Sequence, residues 1–246
     1  MFGNLTTTGL EKAEDRLGGG GVFETGIYSG KIKMAYAGKS PGGAQNVSLI
    51  VDLGGREYRE TIYITNKKGE NFFLNKQDAS KKVPLPGFTT INDICMLTTE
   101  KPLAEQDVQD KTIKVYDFDL KKEVPTVVPV LMELLDKPIS LAILKERVNK
   151  NVKNANTGEY EATADERDQN VIDKTFHTET KLTIVEAEQG NEVGVFWDKW
   201  AEKNDGKTRD KREIKDGQAP SGRPGAPPKA GVTPIAAKKS LFGKKV

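Results

Sequence analysis

Three consecutive runs of two-residue alternation, joined by short glycine-bearing connections, constrain the fold of this chain more than any other feature. Tyr28, Ile32, Met34 and Tyr36 share one parity, with Lys31 and Lys33 on the other. Val47, Leu49, Val51 and Leu53 alternate with Ser48, Ile50 and Asp52. After Gly54-Gly55, Tyr58, Ile62 and Ile64 fall on one face and Arg59, Thr61 and Tyr63 on the opposite one. Side chains along a strand point alternately to its two faces, so each run predicts a half-buried strand. The short connections predict an antiparallel meander.

Beyond the meander the signals change. Asn66-Lys67-Lys68-Gly69 reads as a turn before Phe72 and Phe73, and Pro84 to Phe88 as another. Thr89 to Thr99 spaces Ile91, Ile94, Cys95 and Leu97 as a helix does, with Thr89 or Thr90 as its cap. Thr112 to Asp119 and Pro125 to Val130 predict a hairpin. Ile139 to Val148 and Leu182 to Ala187 predict a fourth and a fifth main strand, separated by a polar arm from Asn149 to Phe176. A short helix over Val193 to Asn204 would dock Phe196, Trp197 and Trp200 on the sheet. The layout suits a mainly β fold, a single OB-type five-stranded Greek-key barrel with helix- and hairpin-containing insertions, against other α+β sheets.

Charge divides the chain differently. Lys+Arg number 38 and Asp+Glu 36, but from Lys207 onward the basic residues outnumber the acidic by 11 to 3. The rest is therefore net acidic, and such asymmetry marks an interaction tail. Asp216 to Gly231 is rich in Pro, Gly and Ala and has no apolar periodicity, so residues 207–246 are expected to be a disordered basic tail. Residues 1–21, ending in Gly18 to Gly21, are expected to be a flexible N-terminal segment, and 22–206 the folded domain. No run approaches a membrane span and no secretion signal opens the chain, which predicts a cytosolic protein without a membrane partner.

Several chemical motifs fail on inspection. Gly38-Lys39-Ser40 lacks the upstream glycine of a phosphate-binding loop, because position 33 is Lys. His177, the only histidine, has no recognisable nucleophile or orienting carboxylate near it. Asp165, Glu166 and Asp168 are interrupted by Arg167 and read as a solvated face, and Cys95 as a core residue. No enzyme, cofactor or metal is expected.

What survives is aromatic residues interleaved with cations. Proteins that hold single-stranded nucleic acid combine cations along the backbone path with flat side chains for bases to stack on. The stacking candidates are Tyr63, Tyr116, Phe72, Phe73, Phe118 and Tyr160. The phosphate candidates are Lys31, Lys33, Arg59, Lys67, Lys68, Lys114, Arg147, Lys150 and Lys153. An aromatic in a sheet is more often core, and this competes most strongly at Phe72, Phe73 and Phe118.

Arg56 to Asn66 with its Lys-Lys-Gly turn resembles the replicative single-stranded DNA-binding proteins of tailed bacteriophages. So do L-P-G-F-T-T-I-N-D-I-C-M-L-T-T from Leu85, K-V-Y-D-F-D from Lys114 and L-A-I-L-K-E-R-V from Leu141. The resemblance covers about residues 20 to 205. It implies an OB fold and non-catalytic coating of single-stranded DNA during phage replication, in the cytoplasm of an infected bacterium. Proteins of that kind commonly end in an acidic tail with an aromatic; this tail keeps Phe242 but reverses the charge. Lys238, Lys239, Leu241, Phe242, Lys244 and Lys245 are its interaction candidates. Three roles are open besides that of a merely solubilising tail: phosphate contacts, association with the acidic body of its own or a neighbouring subunit along DNA, or a short ligand for a phage or host replication protein. A protein–protein adaptor of the replication or recombination machinery is the alternative function.

Overall fold

The computed structural model describes residues 21–117, 120–154, 158 and 160–214. In order these form β1 (Gly26–Lys39), β2 (Gln45–Leu53), β3 (Arg56–Tyr63), β4 (Phe72–Leu74), β5 (Lys82–Pro84), α1 (Pro86–Thr99), β6 (Val108–Asp117), β7 (Lys122–Leu131), β8 (Pro138–Lys153), β9 (Tyr160–Phe176), α2 (Ile184–Glu188), α3 (Phe196–Asn204) and β10 (Thr208–Asp210). The chain is mainly β, and its described residues fall into two compact units. One contains residues 21–148 and 167–211, the other 149–166 and 212–214.

In the first unit the alternating runs form the expected meander. β1 pairs antiparallel with β2, and β2 with β3. Gly54 and Gly55 turn β2 into β3 with φ of 67° and 87°, a left-handed conformation open to glycine at little cost. The first half of β1 pairs on its other edge with β8, Gly26 opposite Ile143 through Lys31 opposite Pro138. β7 reaches β1 further along, at Tyr36 opposite Val130, and carries β6 as its hairpin partner. β9 pairs with β8, and β10 adds to β8 in parallel.

The inward parity of the meander meets α1 in the core. Ile32, Val47, Leu49, Val51, Tyr58 and Ile62 pack with Ile139, Leu141 and Ile143 of β8 and with Ile91, Ile94, Cys95 and Leu97 of α1. β8 is buried on its other face too, where Ala142 and Leu144 pack against Phe176 of β9 and Trp200 of α3. Its I-S-L-A-I-L run is therefore apolar on both parities except at Ser140, which hydrogen bonds Ser29 at 2.7 Å, as a strand covered on both sides requires. Trp200 Nε1 donates to Asp173 Oδ2 at 2.7 Å, so the indole is buried without losing its hydrogen bond.

Four expectations need correction. The fifth long strand is β9, inside the segment read as a polar arm; Leu182 to Ala187 instead enters α2. Thr183 caps that helix: its hydroxyl accepts from Glu186 N while the Glu186 carboxylate accepts from Thr183 N. The T-x-x-E pattern was legible but competes with the alternation of K-L-T-I-V. α1 begins at Pro86 rather than at a threonine cap, and Thr89 and Thr90 turn their hydroxyls back onto the carbonyls of Leu85 and Pro86. α3 starts at Phe196, not Val193. Residues 207–210, assigned by composition to the tail, include β10.

The second unit is a polar ladder from the far ends of β8 and β9. Thr163 Oγ1 donates to Lys150 O at 3.0 Å, and Lys150 Nζ lies 3.9 Å from Asp165. Asn149 grips Ile214 through both side-chain atoms, and Arg212 pairs with Glu166.

Candidate nucleic-acid interface

The outward face of β1–β2–β3 is built by register. Asp52 lies opposite Glu57, Ile50 opposite Arg59, Ser48 opposite Thr61 and Asn46 opposite Tyr63. On the other edge of β2, Ile50 faces Met34, Ser48 faces Tyr36 and Asn46 faces Gly38. Residues paired across an antiparallel ladder share a face. Tyr36, Met34, Ser48, Ile50, Arg59, Thr61 and Tyr63 therefore form one continuous patch. Ser48 and Thr61 hydroxyls hydrogen bond at 3.1 Å in its middle.

Tyr36 and Met34 join this patch because of a bulge. The β1–β2 register shifts between Ile32 and Met34, leaving Lys33 as the extra residue. Ile32 points into the core, and the bulge then sends Ala35 inward and Met34 and Tyr36 outward. Uninterrupted alternation would have put Tyr36 on the side of Ile32. Nothing in G-K-I-K-M-A-Y-A marks the extra residue, so Tyr36 escaped the sequence reading.

The cations differ in what holds them. At one end, Lys33 Nζ lies 3.6 Å from both Asp52 and Glu57, and Arg59 pairs with Glu57. Lys31 sits opposite Asp52 in the ladder. At the other end, the turn after Tyr63 carries Lys67 and Lys68, both exposed. Its backbone is fixed on β2, with Ile64 N and Thr65 N donating to Gln45 O and Gln45 N donating to Thr65 Oγ1. The Lys67 stem passes over the Ser40–Ala44 turn so closely that a Cβ on Gly42 would lie 3.4 Å from its Cε. Lys39 ends β1 beside this turn. Among the described residues, no carboxylate lies in salt-bridge range of Lys39, Lys67 or Lys68. The Tyr63 end is thus the electropositive end of the patch.

The remaining candidates are scattered. Tyr63 is 52% exposed and Phe73, on the small β4–β5 hairpin, 46%, whereas Phe72 is half-buried with Lys82 Nζ 4.3 Å above its ring. Tyr116 is 46% exposed, but Lys114 and Tyr116 project from the opposite side of the β6–β7 hairpin. Tyr36 shares its side with Val130, hence with Gln109, Lys111 and Ile113. Arg147 is engaged by Asp168 at 2.9 and 3.3 Å, and this bond holds the Asp168 carboxyl below its ordinary range. Lys150, Lys153 and Tyr160, the last 69% exposed, belong to the second unit. Phe118 and the tail candidates Lys238, Lys239, Leu241, Phe242, Lys244 and Lys245 lie outside the described residues.

The side chains set aside for chemistry are occupied. His177 Nδ1 is 2.9 Å from Thr180 Oγ1. Cys95 is fully buried, and that burial pushes its thiol up to about 12, far from a reactive thiolate. Among the described residues no helix is long and apolar enough to cross a membrane. Compared with known proteins, the sequence matches no family model and no curated relative.

Proposed function

We propose that this chain is a non-sequence-specific single-stranded DNA-binding protein on an OB-type barrel, one that coats and protects the strand during phage DNA replication. The observation that carries the reading is the patch from Met34 and Tyr36 to Tyr63, Lys67 and Lys68. It sets two tyrosines and unpaired lysines around hydroxyl and amide groups on one open strand face. Bases stack on tyrosines whatever their identity, at about 1–3 kcal/mol each, while lysines follow the phosphates. The opposite end suits phosphate as well, because exposed ion pairs such as Lys33–Asp52 contribute only about 0–1 kcal/mol and exchange readily.

The strand order supports the OB part. From β1 the sheet runs through β2 to β3 in one direction and through β8 to β9 in the other. Ile172 N of β9 donates to Glu60 Oε2 of β3 at 3.0 Å, bridging the ends of this five-strand path. α1 lies between the third and fourth of those strands in sequence, as the expected layout required.

A second reading has its own observation. A cavity of about 410 Å³ opens beside α2 and α3, lined by Asp93, Lys174, Ile184, Val185, Val195 and Phe196 among others. Val185, Val195 and Phe196 are exposed around it. Apolar side chains left in water at a cavity suit a protein ligand, which favours the adaptor role. Fluorescence-anisotropy titration of labelled oligo-dT at several salt concentrations separates the two. The coating reading expects tight binding that weakens steeply with salt. Absence of binding at low salt sinks it and leaves the adaptor.

A further inference from the structure

Asn46, on β2, is 8% exposed, yet among the described residues nothing hydrogen bonds its side-chain carboxamide. The other polar side chains around it are used by the fold. Ser48 and Thr61 bond each other, Thr65 Oγ1 accepts from Gln45 N, and Ser40 Oγ accepts from Ala44 N. A buried amide without a partner is costly and rare in a folded protein. Neither polar atom of Asn46 is fully enclosed, unlike Gln106 Oε1 and Glu133 Oε2. The carboxamide is therefore within reach of a ligand.

Gly38 makes the room for it. This residue lies opposite Asn46 on β1, and its φ is not left-handed, so the backbone does not demand glycine there. A Cβ at Gly38 would sit 2.8 Å from Asn46 Oδ1. What the missing side chain supplies is space, and glycine inside a strand marks such close approaches. Tyr63 is the cross-strand neighbour of Asn46 on β3, and Tyr36 stands two residues before Gly38 on β1. Direct and diagonal neighbours on a ladder lie about 5–8 Å apart, within the span of an aromatic ring. The notch at Gly38 is thus bordered by both tyrosines and floored by an amide.

We propose that the Asn46 carboxamide is a nucleobase-binding group, which hydrogen bonds the Watson–Crick edge of a base held in the Gly38 notch between Tyr36 and Tyr63. The inference rests on the coating reading and adds a polar contact to stacking and phosphate neutralisation. A carboxamide sets a donor beside an acceptor. Every base offers the matching pair: N3–H with O4 in thymine, N4–H with N3 in cytosine, N6–H with N1 in adenine and N1–H with O6 in guanine. Turning the amide over exchanges its two atoms, so one side chain serves all four bases. In a single strand these edges are uncovered and open to side chains. Asn46 thus strengthens binding without selecting sequence.

Anisotropy titrations of the full-length chain compare labelled oligo-dT with the same oligomer built from N3-methylthymidine. The methyl group removes the N3–H donor and leaves the ring, both carbonyls and the phosphates. Wild type is expected to bind the methylated strand about tenfold more weakly. Asn46→Ala should weaken oligo-dT binding by about tenfold and bind both strands alike. Gly38→Ala should do the same, because its Cβ displaces the carboxamide. Asn46→Leu keeps the volume without a polar atom and should lose affinity too, whereas a side chain that merely fills space would lose none. Oligo-dC should suffer the same relative loss on Asn46→Ala. Circular dichroism and urea denaturation confirm that each variant is folded. Asn46 variants that bind oligo-dT like wild type, or that keep its preference for the unmethylated strand, overturn the proposal and leave the coating reading standing. A loss confined to oligo-dT overturns the service to all four bases. A wild type that binds no oligo-dT overturns both readings.

Discussion

Glu60 on β3 and Ile172 on β9 are joined by a carboxylate rather than by a backbone ladder: Glu60 Oε2 accepts from Ile172 N at 3.0 Å. The same oxygen accepts from Tyr58 Oη at 2.6 Å. Burial raises the Glu60 carboxyl above its ordinary pKa, although both hydrogen bonds pull it back.

Glu60→Gln keeps an acceptor for Ile172 and Tyr58, whereas Glu60→Ala leaves both donors without one. The alanine variant is expected to be about 1–3 kcal/mol less stable by urea denaturation, and the glutamine variant close to wild type at acid pH. The sign of the pH effect follows from the raised pKa. Between its unfolded and folded values the native state binds more protons, so the wild type loses stability as pH rises through that window. The glutamine variant should lack this component.

Asp93, on α1 beside the cavity, carries the same sign. Its burial pushes the carboxyl up to about 6, with Lys174 opposing and Glu188 reinforcing. Its destabilising effect therefore grows as pH rises from the ordinary carboxylate range through 6 and is complete above that. Asp93→Asn should raise Tm at pH 7.5 and leave it nearly unchanged at pH 4. Equal shifts at both pH values would mean that the charge is not the cause.

The meander, α1 and the β6–β7 hairpin were legible because each keeps a recognisable period between turn residues. β9 was not, since its polar residues do not alternate with apolar ones. They bond to strands and side chains instead, as Asn170 does with Phe23 and Leu144. The candidate patch, as a surface, was half legible. Tyr63 and the Lys67-Lys68 turn follow from parity and turn chemistry, but Tyr36 depends on a bulge set by the register against β2. Ion pairing was also hidden: Arg147 meets Asp168 only because β8 and β9 pair.

Tyr36→Ala and Tyr63→Ala should each weaken oligo-dT binding by roughly 5- to 100-fold, the loss of about one stacked base. Tyr116→Ala should cost less, because its ring leaves the hairpin on the other side. Equal losses at all three positions would mean that the strand also crosses the far face of the hairpin.

Gly87 allows α1 to start against the end of β3. A Cβ there would sit 2.2 Å from Tyr63 O, a backbone atom that cannot move aside alone. Gly87→Ala should therefore destabilise the protein by about 2 kcal/mol or more in chemical denaturation, despite favouring the helix intrinsically. Because the clash is with Tyr63 itself, oligo-dT affinity should fall under conditions in which the variant remains folded. An unchanged Tm would show that α1 shifts freely and does not position Tyr63.

Shortening the chain after Gly206 and after Ile214 should give different proteins, although composition alone treats both cuts as removal of a tail. Residues 207–211 lie along β8: Thr25 Oγ1 donates to Lys207 O at 2.6 Å, and Lys211 N to Arg147 O at 2.9 Å. Their side chains also neutralise a buried acid. Glu146 is 2% exposed, with Lys211 Nζ 2.7 Å and Arg209 Nη1 3.6 Å from its Oε1. A buried carboxylate deprived of its cations is costly, about 3–5 kcal/mol for a fully enclosed pair. Lys211 and Arg209 are themselves half-exposed, so about 2 kcal/mol is the expected loss for the form ending at Gly206. The form ending at Ile214 should match the full chain in urea denaturation. Glu146→Gln should recover part of the deficit in the shorter form, because it removes the charge and keeps the shape. If both truncations are equally stable, β10 does not neutralise Glu146. If only the shorter one is weakened, the effect of the basic tail on DNA binding must be read from the Ile214 form.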